Sequence, residues 1–161
     1  MAGQTIRLQR LLRAPSGRVF RAFVEPGAMC KWMPPHGYFA TVHEMDVRVG
    51  GWYRMSFTSL HSGRSHQFTG HYEELVPGAR LRYTDRFLEP NLPAAMSVTV
   101  SLRQLAVTPP DAICAKGEAA EWTDLTVVQE GIPEMIPIEL CQRGWQESMD
   151  LLAQLVEAEI P

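Results

Sequence analysis

The sequence predicts an α+β domain in which an antiparallel sheet curves around a long C-terminal helix. Three observations carry this prediction. Segments with an apolar residue at every second position, typical of half-buried strands, recur along the chain. Two short helical patterns follow the first of these segments, and a long amphipathic pattern closes the sequence. The 161 residues are enough for one domain, residues 1–161, with one sizeable core.

The first elements are a strand over residues 5–12 and two short helices. Pro15 and Ser16 open the first helix, because the fixed φ of proline suits the first helical turn. Pro26 opens the second helix in the same way. This helix runs through about Trp32, where a following pair of prolines ends it.

A glycine pair, Gly50 and Gly51, separates two alternating runs and predicts a hairpin turn. A phosphate-binding loop is the alternative, but no helical pattern follows this pair. A three-residue loop that begins at Val49 would align the apolar rows of the two strands. In that register Val47 faces Tyr53, Met45 faces Met55 and Asp46 faces Arg54.

Four further strand patterns precede the C-terminal helix, over residues 67–76, 80–87, 95–105 and 122–129. The stretch between Val107 and Glu121 contains two adjacent prolines and predicts a long loop. Apolar residues recur at steps of three and four in the final helix, where Gly144 predicts a close approach by the sheet, a loop or a ligand. The apolar positions are Ile138, Cys141, Trp145, Met149, Leu152, Leu155 and Val156.

Composition and charge argue against several functional classes. The net charge is −3 and no basic stripe is present, so we expect no nucleic-acid partner. No apolar run approaches the roughly 20 residues of a membrane span, and the start of the chain lacks the apolar region of a signal peptide. The three cysteines are widely spaced and indicate a reducing cytoplasm rather than a disulfide framework.

The histidines do not predict a metal site. His66 and His71 lie on one predicted strand but point to opposite faces, because their separation in the sequence is odd. No serine or cysteine has the sequence context of an activated nucleophile. We therefore expect neither a metal nor a cofactor.

Asp85 is the residue whose predicted position calls for an explanation. It shares one strand face with Leu81, Tyr83 and Phe87. An unpaired buried carboxylate costs several kcal/mol, so Asp85 needs a partner or a wet cavity. The alternative is a position at the exposed end of the sheet, where loop groups donate hydrogen bonds to it.

The inward row of the sheet and the apolar face of the last helix form a candidate small-molecule pocket, with a few polar groups in an apolar wall. The alternative is that aromatic residues and methionines at these positions only build the core. The predicted ligand-binding residues are Trp32, Phe57, Phe68, Tyr72, Tyr83, Asp85, Met96, Gln129, Trp145, Met149 and Leu152.

Five segments of the chain resemble, in order, the patterns of one protein family. They are SGRVFRAFVEPGAMCKWM, MDVRVGGWYRM, FTGHYEELVPGARLRYTDRF, TDLTVVQEGIP and RGWQESMDLLAQLVE. The family is that of activator of heat-shock-protein-90 ATPase homologue-like proteins, within the START-like, birch-pollen-allergen-like (SRPBCC) superfamily. The resemblance implies a helix-grip fold, in which a strongly curved sheet wraps the C-terminal helix and leaves a cavity between them.

The resemblance and the residues together leave three functional hypotheses. The first is binding of a small hydrophobic molecule, lipid-like or polyketide-like, which the eight methionines favour because their side chains adapt to varied shapes. The second is a cyclase or hydratase that uses Asp85 with a tyrosine or histidine as acid and base. The third is an interaction protein like the chaperone activator, although this chain leaves no room for that branch's additional N-terminal domain. A homodimer is a further hypothesis for the oligomeric state.

Overall fold

The computed structural model describes residues 3–88, 95–105 and 121–158. The predicted order of strands and helices is confirmed. The long loop predicted between Val107 and Glu121 lies outside the described residues. The elements are β1 (Gln4–Leu12), α1 (Ser16–Val24), α2 (Pro26–Trp32), β2 (Tyr38–Met45), β3 (Trp52–Ser59), β4 (Ser65–Val76), β5 (Arg80–Phe87), β6 (Met96–Leu105), β7 (Trp122–Ile132) and α3 (Ile138–Val156).

The seven strands form one antiparallel sheet in the order β1-β7-β6-β5-β4-β3-β2. The sheet is curved, and α3 lies against its concave face, which is the helix-grip arrangement. α1 and α2 pack against α3 as well. The main apolar core therefore forms between the sheet and the three helices.

The two halves of α3 are buried to different extents. In the second half, Met149, Leu152 and Val156 are almost inaccessible to solvent. Over residues 138–147, by contrast, no side chain is fully buried. The apolar face of the helix therefore fills the core in its second half and leaves space beside the sheet in its first half.

The predicted register of the β2–β3 hairpin is wrong. Met45 pairs with Tyr53 rather than with Met55, because the connecting loop is longer than three residues and moves each partner on β3 by two positions. Farther from the loop, a β-bulge between Val42 and Glu44 inserts one extra residue into β2 and reverses its side-chain parity, so Val42 pairs with Met55. Between this bulge and the loop, Arg54 pairs with Glu44, at 3.3 Å.

The connection between β2 and β3 is a six-residue loop, 46–51, rather than three residues. Gly50 has a φ of +84°, which confirms that the glycine pair forms a turn. A Cβ on Gly51 would collide with the carbonyl oxygen of Asp46, so the loop needs glycine there as well. The Asp46 carboxylate pairs with Arg48 at 2.7 Å, inside the loop, and not with Arg54 as predicted.

Candidate functional site

A cavity of about 230 Å³ lies between the curved sheet and the first half of α3. Aromatic rings form most of its wall on the sheet side. The polar side chains in the wall are few and come from both the sheet and the helix. The aromatic lining residues are Tyr53, Phe57, Phe68, Tyr83, Phe87 and Trp145.

The helix side of the cavity includes a row of small residues beside Leu140 and Trp145. Cys141, Gly144 and Ser148 are spaced by three and four residues, so they share one face of α3, and all three line the cavity. A Cβ on Gly144 would meet no heavy atom within 4 Å. Neither the sheet nor a loop therefore approaches Gly144 closely, and its missing side chain leaves open volume.

Asp85 lies in the cavity wall, on β5, and is half-buried. The hydroxyl of Tyr53, on β3, lies 3.4 Å from its Oδ1 atom and 3.1 Å from the carbonyl oxygen of Thr84. A hydroxyl has one proton to donate. The shorter contact is to Thr84, so the hydrogen bond to Asp85 is weak.

Gly70 allows Tyr53 to reach Asp85 across the intervening strand. A Cβ on Gly70 would collide with the carbonyl oxygen of Thr84 and would lie 2.6 Å from the Tyr53 ring. The absence of a side chain on β4 therefore lets the Tyr53 ring lie over the sheet with its hydroxyl at β5. Neither Tyr53 nor Gly70 was among the predicted site residues, although the alternation of β3 places Tyr53 in the same inward row as Phe57.

Burial raises the pKa of Asp85 to about 7, and the hydrogen bond from Tyr53 opposes this change only in part. Burial also raises the pKa values of the Tyr53 and Tyr83 phenols, and the nearby Asp85 charge adds to both changes. Near neutral pH the cavity therefore holds neutral phenols beside a carboxyl group that is close to its titration midpoint.

Gln129 links β7 to α3 by a hydrogen bond at one side of the cavity. Its Oε1 atom accepts a hydrogen bond of 2.8 Å from Trp145 Nε1, and its Nε2 atom donates to the sulfur of Met96 at 3.3 Å. Trp145 is only half-buried, because one part of it faces the cavity. Both polar atoms of the Gln129 side chain therefore already have hydrogen-bond partners within the protein.

The structure brings together most of the predicted ligand-binding residues. In the cavity wall lie Phe57, Phe68, Tyr83, Asp85, Met96, Gln129 and Trp145. The others are buried elsewhere and do not line this cavity: Trp32, Tyr72, Met149 and Leu152.

These four residues are separated from the cavity by the way the helices pack. Met149 and Leu152 belong to the second half of α3, which closes onto the core. Trp32 Nε1 donates to the carbonyl oxygen of Ala22 at 2.7 Å, inside the core. Tyr72 borders a void of only about 10 Å³, and its hydroxyl has no hydrogen-bond partner among the described residues.

Several lining residues were not predicted. Strand alternation could not identify those at the end of α2 and in the segment before α3, because neither segment has a strand pattern. The small residues at 141, 144 and 148 do carry a sequence signal, since small side chains on one helix face leave volume unfilled. The unpredicted lining residues are Met33, Pro35, Tyr53, Phe87, Ile136, Leu140, Cys141, Gly144 and Ser148.

Neither a metal-binding cluster nor a membrane-spanning helix occurs among the described residues, 3–88, 95–105 and 121–158. No group of three or more His, Cys, Asp or Glu side chains there is placed to hold a metal ion. Within the same ranges, no helix combines the length and the hydropathy needed to cross a membrane.

Solved structures of several bacterial proteins are similar to this one. A structure of a protein from Chromobacterium violaceum is 49% identical, with 96% of this chain and 98% of that chain covered and a TM-score of 0.85. A Nitrosomonas europaea protein shares the fold at 20% identity, with 95% and 94% covered and a TM-score of 0.73. For an uncharacterized protein of Rhizobium leguminosarum, the identity is 25%, the coverage 99% and 98%, and the TM-score 0.63.

The family assignment rests on a sequence model as well as on these structures. No curated protein gives a significant match. The model of the family described as Activator of Hsp90 ATPase homolog 1-like protein matches residues 13–108. This match covers more than half of the chain, and the Chromobacterium protein is 49% identical over nearly all of it. The chain therefore belongs to the family of Activator of Hsp90 ATPase homolog 1-like proteins.

Proposed function

We propose that the protein binds a small, mainly apolar molecule in the cavity between the sheet and α3. The observation that carries this proposal is the cavity itself, of about 230 Å³ and walled mostly by aromatic and aliphatic side chains. A close-packed core leaves few voids larger than a water molecule. A cavity of about 150 Å³ already accepts benzene, so this one is large enough for a two-ring compound.

The cavity volume also favours one ligand shape among the hydrophobic classes. Sites for drug-sized ligands measure about 300–1,000 Å³, which is more than is available here. A compact ring compound, polyketide-like in character, fits this space better than a long acyl chain. Activation of the Hsp90 ATPase, which the family's description mentions, ranks behind ligand binding because no observation on this chain identifies a chaperone-binding surface.

The row of small residues on α3 provides a direct test. Gly144→Leu should weaken binding of the neutral probe 1-naphthylmethanol by about tenfold or more, because the new side chain occupies ligand volume. The same change should raise the free energy of unfolding by up to about 1 kcal/mol, since leucine favours a helix interior more than glycine does. Isothermal titration calorimetry measures the affinity, and urea denaturation measures the stability.

Gln146→Leu is the matched control for this test. Gln146 lies on the exposed side of α3, so the same new side chain enters the same helix without entering the cavity. Probe affinity should stay within about twofold of the wild-type value, as for surface changes in general. Equal affinity of the Gly144→Leu variant and the wild type would contradict the proposed site.

A second candidate function is proton transfer to a bound molecule, which the contact between Asp85 and Tyr53 favours. A carboxyl group with a pKa of about 7 is present in both protonation states near neutral pH, as a general acid or base requires. A hydratase would use it while water adds to a carbon–carbon double bond conjugated with a carbonyl group.

This candidate can be examined with small α,β-unsaturated ketones, whose hydration products are detected by mass spectrometry. Asp85→Asn should lower the hydration rate by about 10²-fold to 10⁴-fold while the ketone still binds. The wild-type rate should depend on an ionisation near pH 7. A rate that the substitution leaves unchanged would exclude Asp85 as the acid or base.

A cytoplasmic location is part of the same proposal. Cys30 and Cys141 are free thiols, as expected in a reducing compartment.

A further inference from the structure

Asp85 provides the charge of the cavity wall. Among the described residues that line the cavity, it is the one acidic side chain, and the wall contains no Lys, Arg or His. A carboxylate in an apolar cavity needs a cation or several hydrogen-bond donors to offset its lost hydration. The described wall supplies neither.

Within the part of the chain that the structure describes, the hydrogen-bonding capacity of Asp85 is largely unused. A carboxylate can accept about four hydrogen bonds. The Tyr53 hydroxyl, at 3.4 Å from Oδ1, is the side-chain donor near it, and this hydroxyl lies closer to the Thr84 carbonyl. An ammonium group has three donors and no acceptor, so it complements the free carboxylate oxygens directly.

Aromatic rings line the same cavity wall as Asp85. The rings of Tyr53 and Tyr83 are 6.0 Å apart, and the Phe68 ring lies 6.3 Å from Tyr53 and 6.1 Å from Phe87. The faces of aromatic rings attract cations, and cages of such rings recognise organic ammonium groups. The same rings bind the apolar part of an amine.

The segment that borders the cavity ahead of α3 and in its first turn is acidic. Ile136 and Leu140 line the cavity, and the exposed Glu134 and Glu139 lie beside them in the chain. No Lys or Arg occurs from residue 130 to residue 142. This distribution of charge attracts a cation toward the cavity and repels an anion.

We infer that the ligand of this cavity is a compact aromatic amine, bound as its ammonium ion with Asp85 as the counter-ion inside the ring of aromatic side chains. This inference rests on the proposed function, since it names the chemical class of the molecule that the cavity binds. The ammonium group donates to the Asp85 carboxylate, and the hydrocarbon part fills the space beside Gly144.

Binding of an ammonium ion is coupled to the ionisation of Asp85. Burial raises the pKa of Asp85 to about 7, so below that pH the amine must displace a proton when it binds. The other titratable groups that surround Asp85 stay neutral from pH 5 to 8, because burial raises their pKa values, and the facing residues of β6 and β7 do not titrate. The titratable groups that line the cavity with Asp85 are Tyr53 of β3, Tyr83 of β5 and Cys141 of α3. Tyr72 of β4 lies against the Tyr53 and Tyr83 rings, outside the cavity wall, and the facing residues of β6 and β7 are Met96 and Gln129.

Three naphthalene probes of nearly equal shape test the inference by isothermal titration calorimetry. They are 1-naphthylmethylamine, 1-naphthylmethanol and 1-naphthaldehyde, which differ in the group presented to Asp85. At pH 7.5 the amine should bind about tenfold or more tightly than the alcohol, as expected for a charge-assisted hydrogen bond. Its affinity should fall by about tenfold for each pH unit from 7 to 5, while the affinity of the alcohol stays nearly constant.

The Asp85→Asn variant should lose the preference for the amine and the pH dependence, and it should bind the alcohol within about threefold of the wild type. Binding of the alcohol also reports that the variant is folded; if the variant does not fold, the wild-type pH profile of the amine decides.

An amine that binds no tighter than the alcohol overturns the inference and leaves the proposed function intact. Tightest binding of the aldehyde, weakening as the pH rises, also overturns it, because Asp85 would then act as a protonated donor. If none of the probes binds, the proposed function fails and the inference fails with it.

Discussion

The free energy of unfolding should fall by up to about 4 kcal/mol as the pH rises from about 4 to about 7, on account of Asp85 alone. In this window the folded protein keeps a proton on Asp85, because burial raises its pKa, whereas the unfolded chain has released it. The folded state therefore binds more protons than the unfolded state, and stability decreases with rising pH by about 1.4 kcal/mol per pH unit.

Comparison with Asp85→Asn isolates this contribution. The two proteins differ only at residue 85, so the effects of all other residues cancel in the difference between the two stability profiles. Urea denaturation of both proteins at closely spaced pH values measures that difference. The wild type should lose stability relative to the variant as the pH rises, and two parallel profiles would show that the Asp85 carboxyl is well hydrated or paired in the folded state.

Trp32→Ala should lower the free energy of unfolding by about 3 to 5 kcal/mol, which is typical for truncation of a buried tryptophan. The Trp32 side chain is inaccessible to solvent, and its ring meets the Phe23 ring edge to face with centroids 4.6 Å apart. The substitution also leaves the Ala22 carbonyl without the 2.7 Å hydrogen bond from the indole. The midpoint of urea denaturation measures the loss.

Trp52→Ala is the matched control, because Trp52 is 41% exposed. The same truncation there should cost about 1 kcal/mol or less. If both variants lose equal stability, the core position of Trp32 is wrong. Since Trp32 does not line the cavity, the milder Trp32→Phe variant should bind 1-naphthylmethanol with wild-type affinity, in contrast to Gly144→Leu.

The secondary structure of this protein could be predicted well because its strands and helices have distinct periodicities. Alternation marks β4 and β5, and steps of three and four mark α3. Prolines mark the starts of α1 and α2. The register of the β2–β3 hairpin could not be predicted, because the glycine pair marks a turn but does not indicate the six-residue length of the loop that contains it.

The candidate site could be predicted only in part. Strand alternation placed Asp85, Tyr83 and Gln129 on inward rows, and the structure brings them to one cavity. The spacing of apolar residues by three and four in α3 could not distinguish Met149, which is packed into the core, from Trp145, which faces the cavity. Both lie on the apolar face of α3, and the difference arises from where along the helix the sheet and α2 close onto it.

The sequence by itself determined the fold class, the strand faces and the presence of a carboxylate on an apolar row, because these depend on residue type and spacing along one element. Only the tertiary structure decided that the described residues lining the cavity give Asp85 no cation, that Tyr53 reaches it over Gly70, and that space remains beside Gly144. The physical reason is that an empty volume and an unpaired charge are properties of the gaps between elements. Such gaps depend on how several segments distant in the chain pack together, which no single pattern of residues records.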